Sequence, residues 1–178
     1  HDNVLSMMKY YDMHNRKEDN VKLIFLPCYL DGKDGVLNMT YYDIVLGNDL
    51  CIYPSYYEPW GYTPLEAVAF KVPCITTDLA GFGLWANKEK PGCGYSKIED
   101  GVEVVHRTDS NYNDVADNIR DVVIRFAAKD KKAVESCRHN AEALSKKALW
   151  SEFFRYYEEA YDFALRKAEK RMADRKNG

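Results

Sequence analysis

Two carboxylates, Glu58 and Glu66, stand eight residues apart in a stretch that reads P-S-Y-Y-E-P-W-G-Y-T-P-L-E from Pro54 to Glu66. Ionised carboxylates accept strong hydrogen bonds from hydroxyl groups, so a pair facing one bound molecule from its two ends suits a sugar at one end and a ribose at the other. Pro59 biases Glu58 towards extended backbone, Gly61 permits a tight turn, and Thr63 followed by Pro64 reads as the N-cap and first residue of a helix. The first N–H groups of a helix lack intrahelical acceptors and carry the positive end of the macrodipole. The approach through Gly61, Tyr62 and Thr63 could therefore hold a diphosphate without any basic side chain. The same residues admit plainer roles. Thr63-x-x-Glu66 is also a capping box, and Trp60 could simply pack the loop. A carboxylate pair also serves glycoside hydrolysis, where the outcome depends on a through-space separation that sequence spacing does not give.

The elements that must position this loop form an alternating series. Short apolar runs of strand length are expected at 20–27, 50–53, 74–76 and 102–105, and helices at 41–47, 64–70 and 81–87. That alternation predicts an α/β fold, a Rossmann-like parallel sheet flanked by helices. Ligands bind beyond the carboxyl ends of strands in such sheets, and the 54–66 loop leaves one of those ends. From residue 107 onward the reading is helical. Val115, Ile119, Val122, Val123 and Phe126 mark one helix, and residues 130–144 a second. A last helix over 149–171 carries Leu149, Phe153, Tyr157, Ala160, Ala164 and Ala168, with Trp150, Phe154, Tyr161 and Leu165 beside them. A stripe that broad suits either a well-packed terminal helix or one that bridges its own domain and something else.

The 28 acidic and 25 basic side chains give a net charge of −3, which argues against a broad surface for nucleic acid or anionic membrane. No apolar run approaches the about 20 residues that span a bilayer. Cys28, Cys51, Cys74, Cys93 and Cys137 form no C-x-x-C pair, which fits a reduced, cytoplasmic setting, and the four histidines lack ligand spacing, so neither a metal nor another cofactor is expected. The polar start at His1, without an initiator methionine, is read as that of a fragment or of a processed product.

The Pro54 to Glu66 stretch resembles the signature of glycogen synthases of the fungal and animal type. Upstream, Tyr41-Tyr42-Asp43-Ile44-Val45-Leu46-Gly47 is similar to the family's tyrosine-acid-hydrophobic-glycine stretch. Downstream, Ile75-Thr76-Thr77-Asp78-Leu79-Ala80-Gly81-Phe82-Gly83 is similar to its T-T-N-x-S-G-F-G, and the likeness runs from about Val21 to the final helix. The resemblance implies a GT-B fold and a metal-independent, retaining transfer of glucose from UDP-glucose to an α-1,4-glucan. It makes residues 1–178 the C-terminal, donor-binding domain, with 149–171 as a crossover helix. By position it gives Glu58 contact with the transferred glucose, Glu66 the ribose, Tyr41 the uracil face, and the N–H groups around Gly61, Tyr62 and Thr63 the phosphates, with Trp60 in the same loop.

Stacking on Tyr41 would not by itself separate uracil from adenine, so UDP-glucose rather than ADP-glucose rests on the resemblance. Without it, Tyr41 reads as a core tyrosine at a helix start. Glu58 has no evident folding task in its loop and is the strongest catalytic candidate. The arginines and lysines that the family uses beside the departing UDP lie earlier in its sequence and have no counterpart before Val21, so this chain is expected to bind donor without turning it over. The family's arginine-rich helix for glucose 6-phosphate corresponds to K-D-K-K-A-V-E-S-C-R-H-N, where Lys131, Lys132 and Arg138 alone suit a phosphate. The alternatives are a non-catalytic module that binds nucleotide sugar or glucan, and another GT-B glycosyltransferase. A nicotinamide enzyme is disfavoured because no G-x-G-x-x-G follows a strand. An open sheet edge and the broad final stripe predict self-association into a homo-oligomer.

Overall fold

The computed structural model describes residues 2–90 and 92–176. The chain divides into two units, residues 1–44 and 45–178.

The first unit holds helix α1 (Asn3–Tyr10), capped by Asp2, whose carboxylate accepts from the N–H groups of Val4 and Leu5 at 2.9 and 3.0 Å. Loops follow, held mainly by side chains on backbone. Asp34 accepts from the N–H groups of Val36, Leu37 and Asn38 and closes a turn. The strand expected at 20–27 is not formed. Leu23 has its N–H and carbonyl taken by the side-chain amide of Asn15, at 2.8 and 2.7 Å, and Val21, Ile24 and Phe25 stay exposed. An apolar run becomes a strand only where a neighbouring strand takes its backbone groups, and here a side chain has taken them. Helix α2 (Tyr41–Gly47) matches its expected bounds, and the Thr40 hydroxyl donates to Asp43 at 2.6 Å across its start.

The second unit is built on a parallel sheet in the order β1 (Cys51–Ile52), β2 (Cys74–Thr77), β3 (Val102–Val105). Between the strands run α3 (Tyr62–Ala69) and α4 (Gly81–Glu89). Every residue of β2 and β3 is buried, as befits a parallel sheet covered on its faces. The expected α/β class and Rossmann-like parallel sheet are therefore borne out, with three strands among the described residues. Glu103 is the charged residue within this core. It accepts from Lys97 Nζ at 3.1 Å and from the Ile98 N–H at 2.7 Å, so its burial is compensated.

Helices α5 (Tyr112–Ala127) and α6 (Lys131–Lys146) follow, as the spacing of their apolar residues requires. Val115, Val122 and Phe126 of α5 and Cys137 of α6 enter one core with Ile75, Ile98 and Val105. Each such side chain stabilises the fold by about 1.5–3 kcal/mol through removal from water. Asp130 caps α6, accepting from the Ala133 N–H at 2.7 Å. The last helix, α7 (Trp150–Lys176), touches this body through Phe153, while Trp150, Phe154, Tyr157, Tyr161, Phe163 and Leu165 are exposed. The broad stripe read from the sequence is thus largely uncovered. Among the described residues, no helix is long and apolar enough to cross a membrane, and no cluster of His, Cys, Asp or Glu is placed to hold a metal ion.

Candidate functional site

The loop from Pro54 to Gly61 leaves the carboxyl end of β1 and is stitched along its length to the segment leaving β2. The Thr77 hydroxyl donates to the Ser55 carbonyl at 2.6 Å. The Glu58 N–H donates to the Leu79 carbonyl at 3.2 Å, and the Glu58 carbonyl accepts from the Gly81 N–H at 3.0 Å. The Trp60 carbonyl accepts from the Phe82 N–H at 2.6 Å. This explains why the second segment carries glycines. A Cβ on Gly81 would overlap the Pro59 carbonyl oxygen, and one on Gly83 would overlap the Thr77 carbonyl oxygen. Close backbone approach, rather than a ligand, accounts for both glycines.

Helix α3 begins at Tyr62, with Gly61 as N-cap at φ 105°, so the expectation of Thr63 as cap and Pro64 as first helical residue is corrected by two positions. Gly61 can hold that left-handed backbone, which Thr63 could not adopt without strain. The correction removes the Thr63–Glu66 capping box, since Glu66 now falls one turn inside the helix. It also leaves the N–H groups of Tyr62 and Thr63 as the first two of the helix, without intrahelical acceptors. Pro64 is buried and supplies no N–H.

Glu58 is exposed, and its carboxylate makes no hydrogen bond or ion pair among the described residues. A Cβ at Gly61 would meet Glu58 Cγ at 3.5 Å, so the Glu58 side chain runs past the start of α3. Its backbone is fixed while its carboxylate is free to meet a ligand. Glu66 is half-buried on α3. Trp60 packs edge-on against Phe82 and Phe153, with ring centroids 6.1 and 5.5 Å away, and lies 5.9 Å from Trp85. All three tryptophans of the chain, Trp60, Trp85 and Trp150, line one groove of about 560 Å³ together with Tyr62, Phe153 and Tyr157. In the first unit, Tyr41 opens α2, its N–H donating to the Leu30 carbonyl at 3.0 Å and its ring meeting Tyr42 edge-on.

Sequence reading missed a polar cluster at the carboxyl ends of β2 and β3. Asp78 accepts from His106 Nδ1 at 2.6 Å, from the Tyr95 hydroxyl at 2.9 Å and from the Arg107 N–H at 2.8 Å. Burial pushes the Asp78 carboxyl up, but the bonds from His106, Arg107 and Tyr95 outweigh it and hold the group below the usual carboxylate range. Arg107 in turn donates to the Pro54 carbonyl at 2.6 Å. The available signal was position, since both Asp78 and His106 directly follow buried strands of a parallel sheet.

Arg138, one of three residues considered for a regulatory phosphate, is already engaged. It donates to Asp49 at 2.8 Å, to the Asn48 carbonyl at 3.1 Å and to the Lys71 carbonyl at 3.3 Å, which ties α6 to the ends of α2 and α3. Lys131 and Lys132 remain exposed at the start of α6.

The family model for glycogen synthase matches residues 1–177. The chain is 32% identical over 167 residues to a glycogen [starch] synthase of Neurospora crassa, covering 94% of this chain and 23% of that protein. It is 31% identical to isoform 1 of Saccharomyces cerevisiae and 30% identical to the human liver enzyme, again over 94% of this chain and 23% of each relative. The chain thus spans about a quarter of the length of the curated relatives it matches. With the family model matched along nearly its whole length, a Rossmann-like sheet, and a signature loop braced as described, this chain belongs to the glycogen synthase family.

Proposed function

We propose that this chain is the C-terminal, nucleotide-sugar-binding domain of a glycosyltransferase that moves glucose from UDP-glucose to the non-reducing end of an α-1,4-glucan with retention. The observation that carries the reading is the pairing of the unengaged Glu58 carboxylate with the open N-terminus of α3 on one rigid loop at the carboxyl edge of the sheet. Diphosphate oxygens would take the N–H groups of Tyr62 and Thr63, where the helix end favours an anion by about 0.3–1 kcal/mol, rising towards about 2 kcal/mol when partly buried. Glu58 would accept hydroxyls of the transferred glucose, Glu66 those of the ribose, and Tyr41 would present its ring to the uracil. The uncovered aromatic face of α7 supports residues 149–171 as the crossover helix towards the domain that faces the donor across the cleft. The positive charge needed beside the departing phosphate would come from arginines and lysines that lie earlier in the family's sequence.

Calorimetric titration with UDP, ADP and NAD, repeated for Glu66→Ala and Tyr41→Ala, tests the reading. Binding of UDP alone, weakened about tenfold in each variant, is the expected result, equal to one charge-assisted hydrogen bond or one stacked ring. Equal affinity for ADP would remove the base preference, and a folded chain indifferent to all three would remove the donor site.

A further inference from the structure

We infer that Arg107 is a positioning residue for the signature loop, holding Pro54 to Tyr56 from the far side so that Glu58 is presented in one geometry. The inference rests on the donor-site reading for its functional meaning, but its structural grounds are separate. Pro54, Ser55 and Tyr56, the first three residues of the loop, are each tied either to β2 or to the segment that follows β3. Arg107 Nη1 donates to the Pro54 carbonyl at 2.6 Å, and the guanidinium carbon lies 5.1 Å from the centroid of the Tyr56 ring. The Tyr56 hydroxyl donates to the Asp109 carboxylate, two residues beyond Arg107. Ser55 is held through its carbonyl by Thr77.

Arg107 is itself fixed at its backbone by Asp78, so the contacts close a ring: loop, Arg107, Asp78, Thr77 and loop again. A guanidinium suits this place better than an ammonium because its plane can lie over Tyr56 while one edge donates to Pro54. Its Nε is buried and finds no partner among the described residues. A group left unsatisfied in that way costs free energy, and the bond to Pro54 and the face of Tyr56 must offset it. A loop that carries a free carboxylate gains from being fixed before ligand arrives, since ordering it on binding would weaken affinity.

The test uses this chain with Arg107→Ala, Arg107→Lys and Tyr56→Phe, read by amide hydrogen exchange and by calorimetry with UDP-glucose. Arg107→Ala is expected to speed exchange at the Ser55 and Glu58 amides about tenfold, with Ile75 and Val104 unchanged, and to weaken UDP-glucose about tenfold. Arg107→Lys, which can still reach the Pro54 carbonyl, should recover part of both, and Tyr56→Phe should show a smaller loss. Unchanged exchange at Ser55 and Glu58 in Arg107→Ala overturns the inference. If that variant loses protection at Ile75 as well, Arg107→Lys and Tyr56→Phe decide, and unaltered loop exchange in both overturns it. A wild-type chain that does not bind UDP-glucose overturns the donor reading, and the exchange pattern alone then upholds or overturns the anchoring by Arg107.

Discussion

Residues 50–53 and residues 21–26 are alike in composition, each a short apolar run closed by a proline, yet they end in different states. In the first, the Cys51 N–H donates to the Pro73 carbonyl at 3.0 Å and the Tyr53 N–H to the Ile75 carbonyl at 2.8 Å, so the run joins the sheet as β1 and delivers the signature loop. In the second, Asn15 satisfies the backbone of Leu23, and Val21, Ile24 and Phe25 remain in water. The difference lies outside both runs. Strand character comes from a neighbour with free backbone groups at the right spacing, which β2 offers to residues 51–53.

The comparison predicts that substitutions behind the signature loop are costly. The largest expected effect is at the braces. Gly81→Ala and Gly83→Ala each drive a methyl into a backbone carbonyl that belongs to the stitched segment. Each should lower stability by about 3 kcal/mol in urea denaturation, at the upper end of what overpacking costs. Gly47→Ala is the control, because a Cβ there meets nothing within 4 Å, and it should shift stability by less than about 1 kcal/mol. Equal effects at Gly47 and Gly81 would mean that the close approach does not brace the loop.

A smaller effect should appear with pH. Asp78 is held below the usual carboxylate range by His106, Arg107 and Tyr95, against the opposing push of burial. A carboxyl depressed on folding binds its proton more readily when unfolded, so its contribution is fully present above the unfolded value, near about 3.9, and is lost as pH falls through the folded value. Melting temperature should therefore drop on acidification below about pH 4, and Asp78→Asn should flatten that limb. Asp34 is also depressed, chiefly by the Leu37 N–H, but it is half-buried and closes only a local turn of the first unit. Asp34→Asn should flatten the acid limb less than Asp78→Asn, and a comparable flattening there would dissolve the distinction between the two regions.

What could be read in the sequence followed from periodicity. The strands at Cys74 and Val102 and the helices from Tyr41, Gly81, Val115 and Asp130 announce themselves through apolar spacing and caps that lie within one element. The start of α3 was misplaced because Thr63-Pro64 is a good local cap and nothing local shows that Gly61 must turn left-handed to bring Trp60 onto Phe82. The braces were equally hidden. Arg107 meets Pro54, Asp78 meets His106 and Gly81 meets Pro59 only after three strands are laid side by side. Glu58 was legible as a candidate for the opposite reason, since a charged residue among Tyr57, Pro59 and Trp60 had no local task, and the fold leaves its carboxylate unengaged.

The smallest expected effect is also the sharpest check on the comparison. Ile24 sits in a run as apolar as that of β1, but it is 59% exposed and its neighbour Leu23 is tied to an asparagine side chain instead of a strand. Ile24→Ser removes apolar surface that folding has not taken from water, so urea denaturation should register a change within about 0.5 kcal/mol. Asn15→Ala should matter more, by about 1 kcal/mol, because it strips both backbone groups of Leu23 of their partner, although each can turn to solvent. A loss above about 1.5 kcal/mol for Ile24→Ser would show that the run buries its side chains after all. The two proline-terminated runs would then differ in which neighbour they find, and no longer in whether they find one.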